Sequence, residues 1–220
     1  GKVTPFALAA GDEFRPATGP HKWLSQAYLD QARYVIDVQA RLTTQQKVIA
    51  EYWADGPNSS LPPGHWTEFA GFVAERDKYD LDQSVKLFFA LANAVFDASI
   101  AVWDTKRAFD SVRPVTAIRH LFRGQTIRAW GGPGQGTQEI PGETWQPFQK
   151  ASFPTPPFAE FVSGHSGFSM AAASVLKTFT GSDRFGFFYT QDKPLAADPS
   201  EPVAGVTLAW PTFTAAAREA

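Results

Sequence analysis

Residues 103–119 read WDTKRAFDSVRPVTAIR, and residues 153–166 read FPTPPFAEFVSGHS. In the first stretch Lys106 and Arg113 are seven residues apart, close to two helical turns, so one helix would project both cations from the same face. Pro114 ends that helix, because the residue before a proline avoids helical dihedral angles. A guanidinium binds an oxyanion through paired hydrogen bonds and an ammonium adds a point charge, so the spacing indicates an anion site.

Acidic residues near the two cations leave a second interpretation open. Lys106 and Arg113 could be solvated surface groups that pair with Asp104 or Asp110. The long central helix also places three polar residues within about 40° of one another. These residues form either a buried stripe that orients the cations or a solvated face: Asn93, Asp97 and Asp104.

The second stretch predicts the start of a helix that binds an anion. Ser163 is a typical N-cap, and the free N–H groups and positive dipole end of a helix start favour negative charge. Gly164 lets the backbone approach closely, and His165 can exchange a proton near neutral pH. The alternative is that Ser163 is only a cap and that His165 is a partly exposed polar residue.

Composition excludes several classes of function. The formal net charge is −2 and no basic stripe alternates with aromatic residues, so we expect no nucleic-acid binding. Cysteine is absent, which excludes disulfides, thiolate catalysis and cysteine-ligated zinc. No apolar run reaches the roughly 18 residues that span a bilayer, because Asn93, Asp97 and Ser99 interrupt the longest candidate, residues 87–102.

The pattern predicts a single helical domain over residues 1–220, with long irregular loops and an extended N-terminal arm over residues 1–20. Apolar spacing predicts the helices, and Thr43 or Thr44 would cap the second of them. No alternating pattern is long enough to predict a sheet. The predicted helices cover residues 22–55 in two parts, 66–79, 80–110, 115–122, 163–179 and 212–220, and the predicted loops cover residues 55–64, 124–157 and 181–211.

Two further groups of residues are interpreted as structural. The segment Gly131–Gly136 (GGPGQG) lacks the lysine and hydroxyl residue of a phosphate-binding loop, so we interpret it as a flexible crossing. Asp183, Asp192 and Asp198 lack the spacing of a calcium site and are interpreted as surface residues.

The two quoted stretches together resemble a known family. A lysine, six residues, an Arg-Pro pair and a later Ser-Gly-His resemble the vanadium-dependent haloperoxidases and the type 2 phosphatidic acid phosphatases that share their fold. Residues 103–119 and 153–166 look most similar to the soluble bacterial haloperoxidase-like branch, and the resemblance covers most of the chain.

The resemblance implies an all-α helical bundle of the vanadium haloperoxidase and acid phosphatase type. It implies that Lys106, Arg113 and His165 are catalytic, with His165 as the acid–base group. It also implies that Trp103 and Phe158 form a halide pocket, although both could simply pack. The residues that would bind the oxygens of vanadate, or of phosphate as an isosteric occupant, are Lys106, Arg113, Ser163, Gly164 and His165.

The activity that the resemblance implies is vanadate-dependent oxidation of halide by hydrogen peroxide, with a small organic acceptor. A soluble acid phosphatase is the first alternative, because vanadate mimics the transition state of phosphoryl transfer and one oxyanion site can serve both reactions. A non-catalytic, anion-binding helical bundle is the second.

The family's third motif, Ser-Arg followed by a histidine and then an aspartate, has no match in this sequence, since His21, His65 and His120 lack those neighbours. We expect the chain to be C-terminally incomplete, with the histidine that bonds vanadium directly lying beyond residue 220. Alternatively, a second polypeptide supplies the motif, or the protein has lost the activity. We also expect a secreted or periplasmic protein that could form a homo-oligomer.

Overall fold

The computed structural model describes residues 3–56 and 59–220. Within those ranges the chain forms seven α-helices, one 3-10 turn and two antiparallel sheets of two strands each. The helices are α1 (Gln26–Ala40), α2 (Thr44–Tyr52), α3 (Leu61–Arg76), α4 (Leu81–Phe109), α5 (Pro114–Leu121), α6 (Gly164–Thr180) and α7 (Phe213–Glu219). The strands are β1 (Thr126–Trp130), β2 (Thr137–Pro141), β3 (Arg184–Thr190) and β4 (Thr207–Thr212).

The two sheets correct the all-α prediction, although the chain is mostly helical. β1 pairs with β2 and β3 pairs with β4, in the stretches predicted to be irregular loops. Gly131–Gly136 is the turn that joins β1 to β2 rather than a flexible crossing, and three of its glycines have positive φ. Each strand has only five to seven residues, which is too short for a clear alternating pattern.

Local capping explains where most helices begin. The Thr43 side chain accepts a hydrogen bond from the Gln46 N–H, which confirms one of the two predicted caps of α2. Asp80 caps α4 in the same way through Gln83. α3 begins at Leu61, five residues before the predicted start at residue 66, because prolines fit the first turn of a helix, where their missing N–H is not needed.

The larger hydrophobic core lies where α4 packs against α6, with α3, α7 and the β3–β4 sheet around them. Phe69 of α3 is 1% exposed and lies at the centre of an aromatic cluster. The rings within 6.3 Å of its own belong to Trp53, His65, Trp66, Phe185, Phe187 and Trp210. A smaller cluster joins α1, α5 and β1. That residues 1–220 form a single domain stays a prediction.

One stretch of the described residues, Leu81–Leu121, which comprises α4 and α5, is long and apolar enough by length and composition to cross a membrane. That finding contradicts the prediction that no run in the sequence reaches this length. A core helix passes the same test, and the inward face of α4 is packed in the core through Leu87, Leu91 and Val95.

Asp97 attaches the N-terminal arm to α4. Its carboxylate is buried and accepts hydrogen bonds from the N–H groups of Phe6, Ala7 and Leu8, at 2.6, 2.7 and 3.1 Å. Two more polar residues of the predicted stripe have other partners, since Asp104 pairs with Arg15 of the arm and Asn93 bonds to the Phe89 carbonyl. None of these contacts reaches Lys106 or Arg113, so Asp97 and Asp104 hold the arm and the stripe does not orient the two cations.

Replacing Asp97 with alanine is expected to release the arm and to lower the free energy of unfolding by about 1–3 kcal/mol, because three N–H groups lose their acceptor. Burial raises the pKa of Asp97, but the hydrogen bonds from Phe6, Ala7 and Leu8 outweigh it and the net pKa is lowered. A lowered carboxyl pKa contributes stability that is lost as the pH falls through the folded-state value.

The difference between wild type and Asp97→Ala should therefore shrink below about pH 4. Urea unfolding measures the free energy, and limited proteolysis ahead of α1 measures release of the arm. Asp37→Ala, on the exposed side of α1, is the control. An arm that stays protected in Asp97→Ala would contradict this role.

Candidate functional site

Lys106 is buried on the inward side of α4, not solvated at the surface. Its Nζ atom donates hydrogen bonds to the carbonyl oxygens of Ala159 and Glu160, at 2.8 and 3.0 Å. Burial lowers the pKa of Lys106, the nearby Arg113 lowers it further, and Glu160 opposes both. The ammonium therefore ties α4 to the loop that leads into Ser163, and it pairs with neither Asp104 nor Asp110.

Arg113 reaches the site by a different route from the one predicted. α4 ends at Phe109, the following Asp110 is left-handed with a φ of 44°, and Arg113 becomes the N-cap of α5. The two cations therefore do not share one helix face. They share a ring instead, because Lys106 Nζ lies 5.0 Å and Arg113 Cζ 5.3 Å from the centroid of Phe158.

The guanidinium of Arg113 is not fully satisfied within the described part of the chain. Its Nε atom is buried and has no hydrogen-bond partner among residues 3–56 and 59–220. Burial lowers the pKa of Arg113, and Glu160 opposes that shift. A buried donor without an acceptor costs about 1–3 kcal/mol, so this N–H group favours an acceptor such as an anion.

Trp103 and Phe158 lie between the cations and the start of α6. Their ring centroids are 5.2 Å apart, and Lys106 Nζ lies 5.9 Å from the Trp103 ring. A Cβ atom on Gly164 would lie 3.7 Å from Trp103 Cζ3, so the glycine backbone is in contact range of the indole. Both aromatic rings keep partial exposure, at 44% and 37%. Packing between the cations and α6 is their visible role, and a halide pocket stays a prediction.

Ser163 caps α6 as predicted. Its hydroxyl oxygen accepts a hydrogen bond from the Ser166 N–H at 3.3 Å, and its carbonyl accepts one from Gly167 at 3.2 Å. The Ser163 O–H remains a donor when its oxygen accepts. Backbone N–H groups at the start of this 17-residue helix add donors and a positive dipole end.

His165 follows Gly164 in the first turn of α6, and its ring lies near Asp55. Its Nε2 atom is buried, lies 3.8 Å from Asp55 Oδ2 and has no hydrogen-bond partner in the described ranges. Burial lowers the pKa of His165, whereas Asp55 and a hydrogen bond to the Trp53 backbone raise it, and His65 lowers it again. The net shift is downward.

The structure thus brings together two parts of the predicted site. Lys106 and Arg113 both lie against Phe158, and Trp103 connects Lys106 to Gly164. Among the described residues the His165 side chain forms an ion pair with Asp55 and no hydrogen bond or ion pair with either cation. A meeting of ammonium, guanidinium and imidazole around one anion stays a prediction.

A network behind His165 was missed by sequence reasoning. His65 is buried, and its Nδ1 lies 3.0 and 3.2 Å from the two carboxylate oxygens of Asp55. The Tyr52 hydroxyl lies 3.0 Å from His65 Nε2. These residues come from α2, α3 and the segment between them, and the only sequence signal was the place of His65 beside Trp66 on an apolar helix.

The aspartates interpreted as surface residues include one buried exception. Asp198 is 2% exposed, and its carboxylate accepts hydrogen bonds from the Gly134 N–H and from Ser200. Asp183 holds the start of α7 through Thr214. Among the described residues, no group of three or more metal-ligating side chains could hold a metal ion.

The donor set nevertheless fits an oxyanion bound through its oxygens. It combines an ammonium, a guanidinium with an unpartnered N–H group and the N-terminus of a long helix. Such groups bind phosphate-like anions through charge-assisted hydrogen bonds.

Comparison with known proteins gives one family and several similar structures. Residues 86–220, more than half of the chain, match the family described as the VCPO second helical-bundle domain. An apo-type bacterial vanadium-dependent chloroperoxidase is 27% identical with a TM-score of 0.75, over 89% of this chain and 42% of that chain. A holo-type bacterial vanadium-dependent chloroperoxidase is 27% identical with a TM-score of 0.74, over 88% of this chain and 40% of that chain.

A bacterial vanadium-dependent iodoperoxidase is 26% identical with a TM-score of 0.71, over 98% of this chain and 47% of that chain. The chain therefore spans less than half the length of each of these three structures. No curated protein sequence matches it.

Proposed function

The chain belongs to the VCPO second helical-bundle domain family, and we propose that it acts in the vanadate-dependent oxidation of halide by hydrogen peroxide. The observation that carries the proposal is the pair of cations over Phe158, one of which, Arg113, has a buried N–H group without a partner among the described residues. The similar solved structures include vanadium-dependent peroxidases of two halides, so the halide stays open.

The residues of this chain would bind and orient the oxyanion. Lys106 and Arg113 neutralise negative charge, and burial strengthens their electrostatic interaction with an anion. Ser163 and the Gly164 N–H group would donate to oxygens at the helix start. Vanadate, when bound, supplies the activation of hydrogen peroxide toward halide.

His165 is the acid–base group of the proposal. It sits in the first turn of α6 next to Gly164, and its imidazole can hold and release a proton near neutral pH. Trp103 and Phe158 would exclude water beside the cations and border the halide position. The small organic acceptor belongs to this proposal, whereas the secreted or periplasmic location stays a prediction.

Replacing His165 with alanine is expected to lower the halogenation rate by about 10²–10⁴-fold, the usual contribution of general acid–base catalysis. The assay follows halogenation of a β-diketone reporter with hydrogen peroxide and halide, with and without added orthovanadate. His21→Ala, directly after the N-terminal arm, is the control for loss of an unrelated imidazole. A wild-type chain that halogenates equally well without vanadate, or an unchanged rate in His165→Ala, would refute the assignment.

A soluble acid phosphatase is the second candidate, because a buried lysine, a half-buried arginine and a helix start bind phosphate without any redox group. Release of phosphate from a small phosphomonoester, inhibited by vanadate and absent in His165→Ala, would favour it.

A non-catalytic anion-binding bundle is the third candidate, and it is favoured by the position of His165 beside Asp55. Tight orthophosphate binding without turnover in either assay would identify that case.

A further inference from the structure

Asp55 presents a fixed carboxylate to His165. Its side chain is 7% exposed, and the His65 Nδ1 atom lies within hydrogen-bond distance of both carboxylate oxygens. A carboxylate only accepts hydrogen bonds, so His65 carries a proton on Nδ1, and its Nε2 is hydrogen-bonded to the Tyr52 hydroxyl at 3.0 Å. The chain of hydrogen bonds from Tyr52 through His65 therefore ends on Asp55, 3.8 Å from His165 Nε2.

The buried Nε2 atom of His165 lies 3.8 Å from an Asp55 carboxylate oxygen, within ion-pair distance but without a hydrogen bond. An opposite charge this close favours the charged form of an imidazole. Burial lowers the pKa of His165, and the Asp55 charge opposes that shift. Asp55 thus favours the protonated ring, whereas burial favours the neutral ring.

We propose that Asp55 is a positioning residue for His165, held in place by His65 and Tyr52, and that it fixes the imidazole ring and favours its proton-donating form. The consequence for catalysis rests on the proposed function, in which His165 exchanges a proton at the anion site. The positioning itself is a property of these four side chains and can be measured without any turnover.

Other titratable groups lie near this network. His65 lowers the pKa of His165 and is the smallest of the four influences on it, smaller than the opposing effect of Asp55. Burial raises the pKa of Tyr52 strongly, and Asp55, Glu68, Tyr189 and Glu219 raise it further. Tyr52 therefore keeps its proton at the far end of the network.

Asp55→Asn tests the role with little disturbance of the backbone. Asp55 has a positive φ of 43°, a conformation that asparagine also tolerates. The readout is the ring ¹⁵N spectrum of His165 in the 220-residue chain without vanadate, at the pH where the wild-type ring is half protonated. Asp55→Asn removes a negative charge 3.8 Å from His165 Nε2. The ratio of charged to neutral His165 is therefore expected to fall about tenfold.

Asp30→Asn, an exposed carboxylate on α1, is the matched control and should leave that ratio unchanged. A folded Asp55→Asn whose His165 resonances match the wild type overturns the proposal, whatever its activity. Absence of halogenation and of phosphate release in the wild type would overturn the proposed function and leave the ring spectrum standing. The two failures are therefore distinguishable.

If Asp55→Asn does not fold, a second pair of variants tests the positioning role of Asp55. His65→Leu removes the donor that holds Asp55, and His65→Gln restores an N–H donor of similar reach. We expect His65→Leu to shift the His165 resonances in the direction of the neutral ring and His65→Gln to shift them less. Equal spectra for the two variants would overturn the role of the network.

Discussion

Lys106→Met is expected to weaken the binding of orthophosphate and orthovanadate by about 10- to 100-fold, which corresponds to about 1.5–3 kcal/mol for a hydrogen bond to a charged group. Methionine keeps an apolar stem of similar length against Trp103 and Phe158, so the variant removes the charge and leaves most of the packing. Isothermal titration with each anion measures the affinity.

The same substitution should lower the free energy of unfolding, because the carbonyl groups of Ala159 and Glu160 lose their common donor. The loop before Ser163 is then less firmly held, which adds to the loss of anion affinity. Lys86→Met is the control on the same helix, since Lys86 is exposed and pairs with Asp82 one turn away. Unchanged anion affinity in a folded Lys106→Met would remove Lys106 from the site.

The parts of the site that the sequence predicted depend on interactions between residues that are close together in the chain. Ser163 caps α6 because its hydroxyl reaches an N–H group three residues ahead, and such an interaction needs no information from the rest of the chain. The family resemblance also depended on residues close together in sequence. Helical periodicity placed α1, α4 and α6 for the same reason, because each buries one regular apolar face.

Arg113 shows where local reasoning fails. A spacing of seven residues predicts one helix face only while the helix continues, and α4 ends at Phe109. The left-handed Asp110 redirects the chain, and contact with Phe158, 45 residues further on, then brings Arg113 beside Lys106. The side chains still meet, but through a tertiary contact that no spacing rule contains.

Asp55 and the two hairpins were missed for a related reason. Asp55 lies 110 residues from His165, so only the packing of α2, α3 and α6 makes them neighbours. In β3, Phe185, Phe187 and Tyr189 alternate with smaller or exposed residues, but seven residues give a weak signal beside helices of fifteen or more.

Phe69→Ala is expected to have the largest effect on stability, lowering the free energy of unfolding by about 3–5 kcal/mol. Phe69 is 1% exposed and touches aromatic rings from α3, β3, β4 and the end of α2, so its removal opens a cavity that rigid neighbours cannot fill. Phe188→Ala is the control, because Phe188 on β3 is 67% exposed and its loss should cost about 0.5 kcal/mol or less. Urea unfolding measures both values.

The same substitution should also affect the candidate site, because the centroid of the Phe69 ring lies 4.8 Å from that of His65. A looser His65 holds Asp55 less firmly, so the His165 ring spectrum of Phe69→Ala should move in the direction of Asp55→Asn even where the chain remains folded. An altered unfolding energy with an unchanged His165 spectrum would show that the aromatic core stabilises the fold without positioning the imidazole. A change in both the unfolding energy and the His165 spectrum would show that one packed cluster stabilises the fold and positions the imidazole. Phe69 and His65 are only one helical turn apart on α3, so both effects can arise from the same cluster.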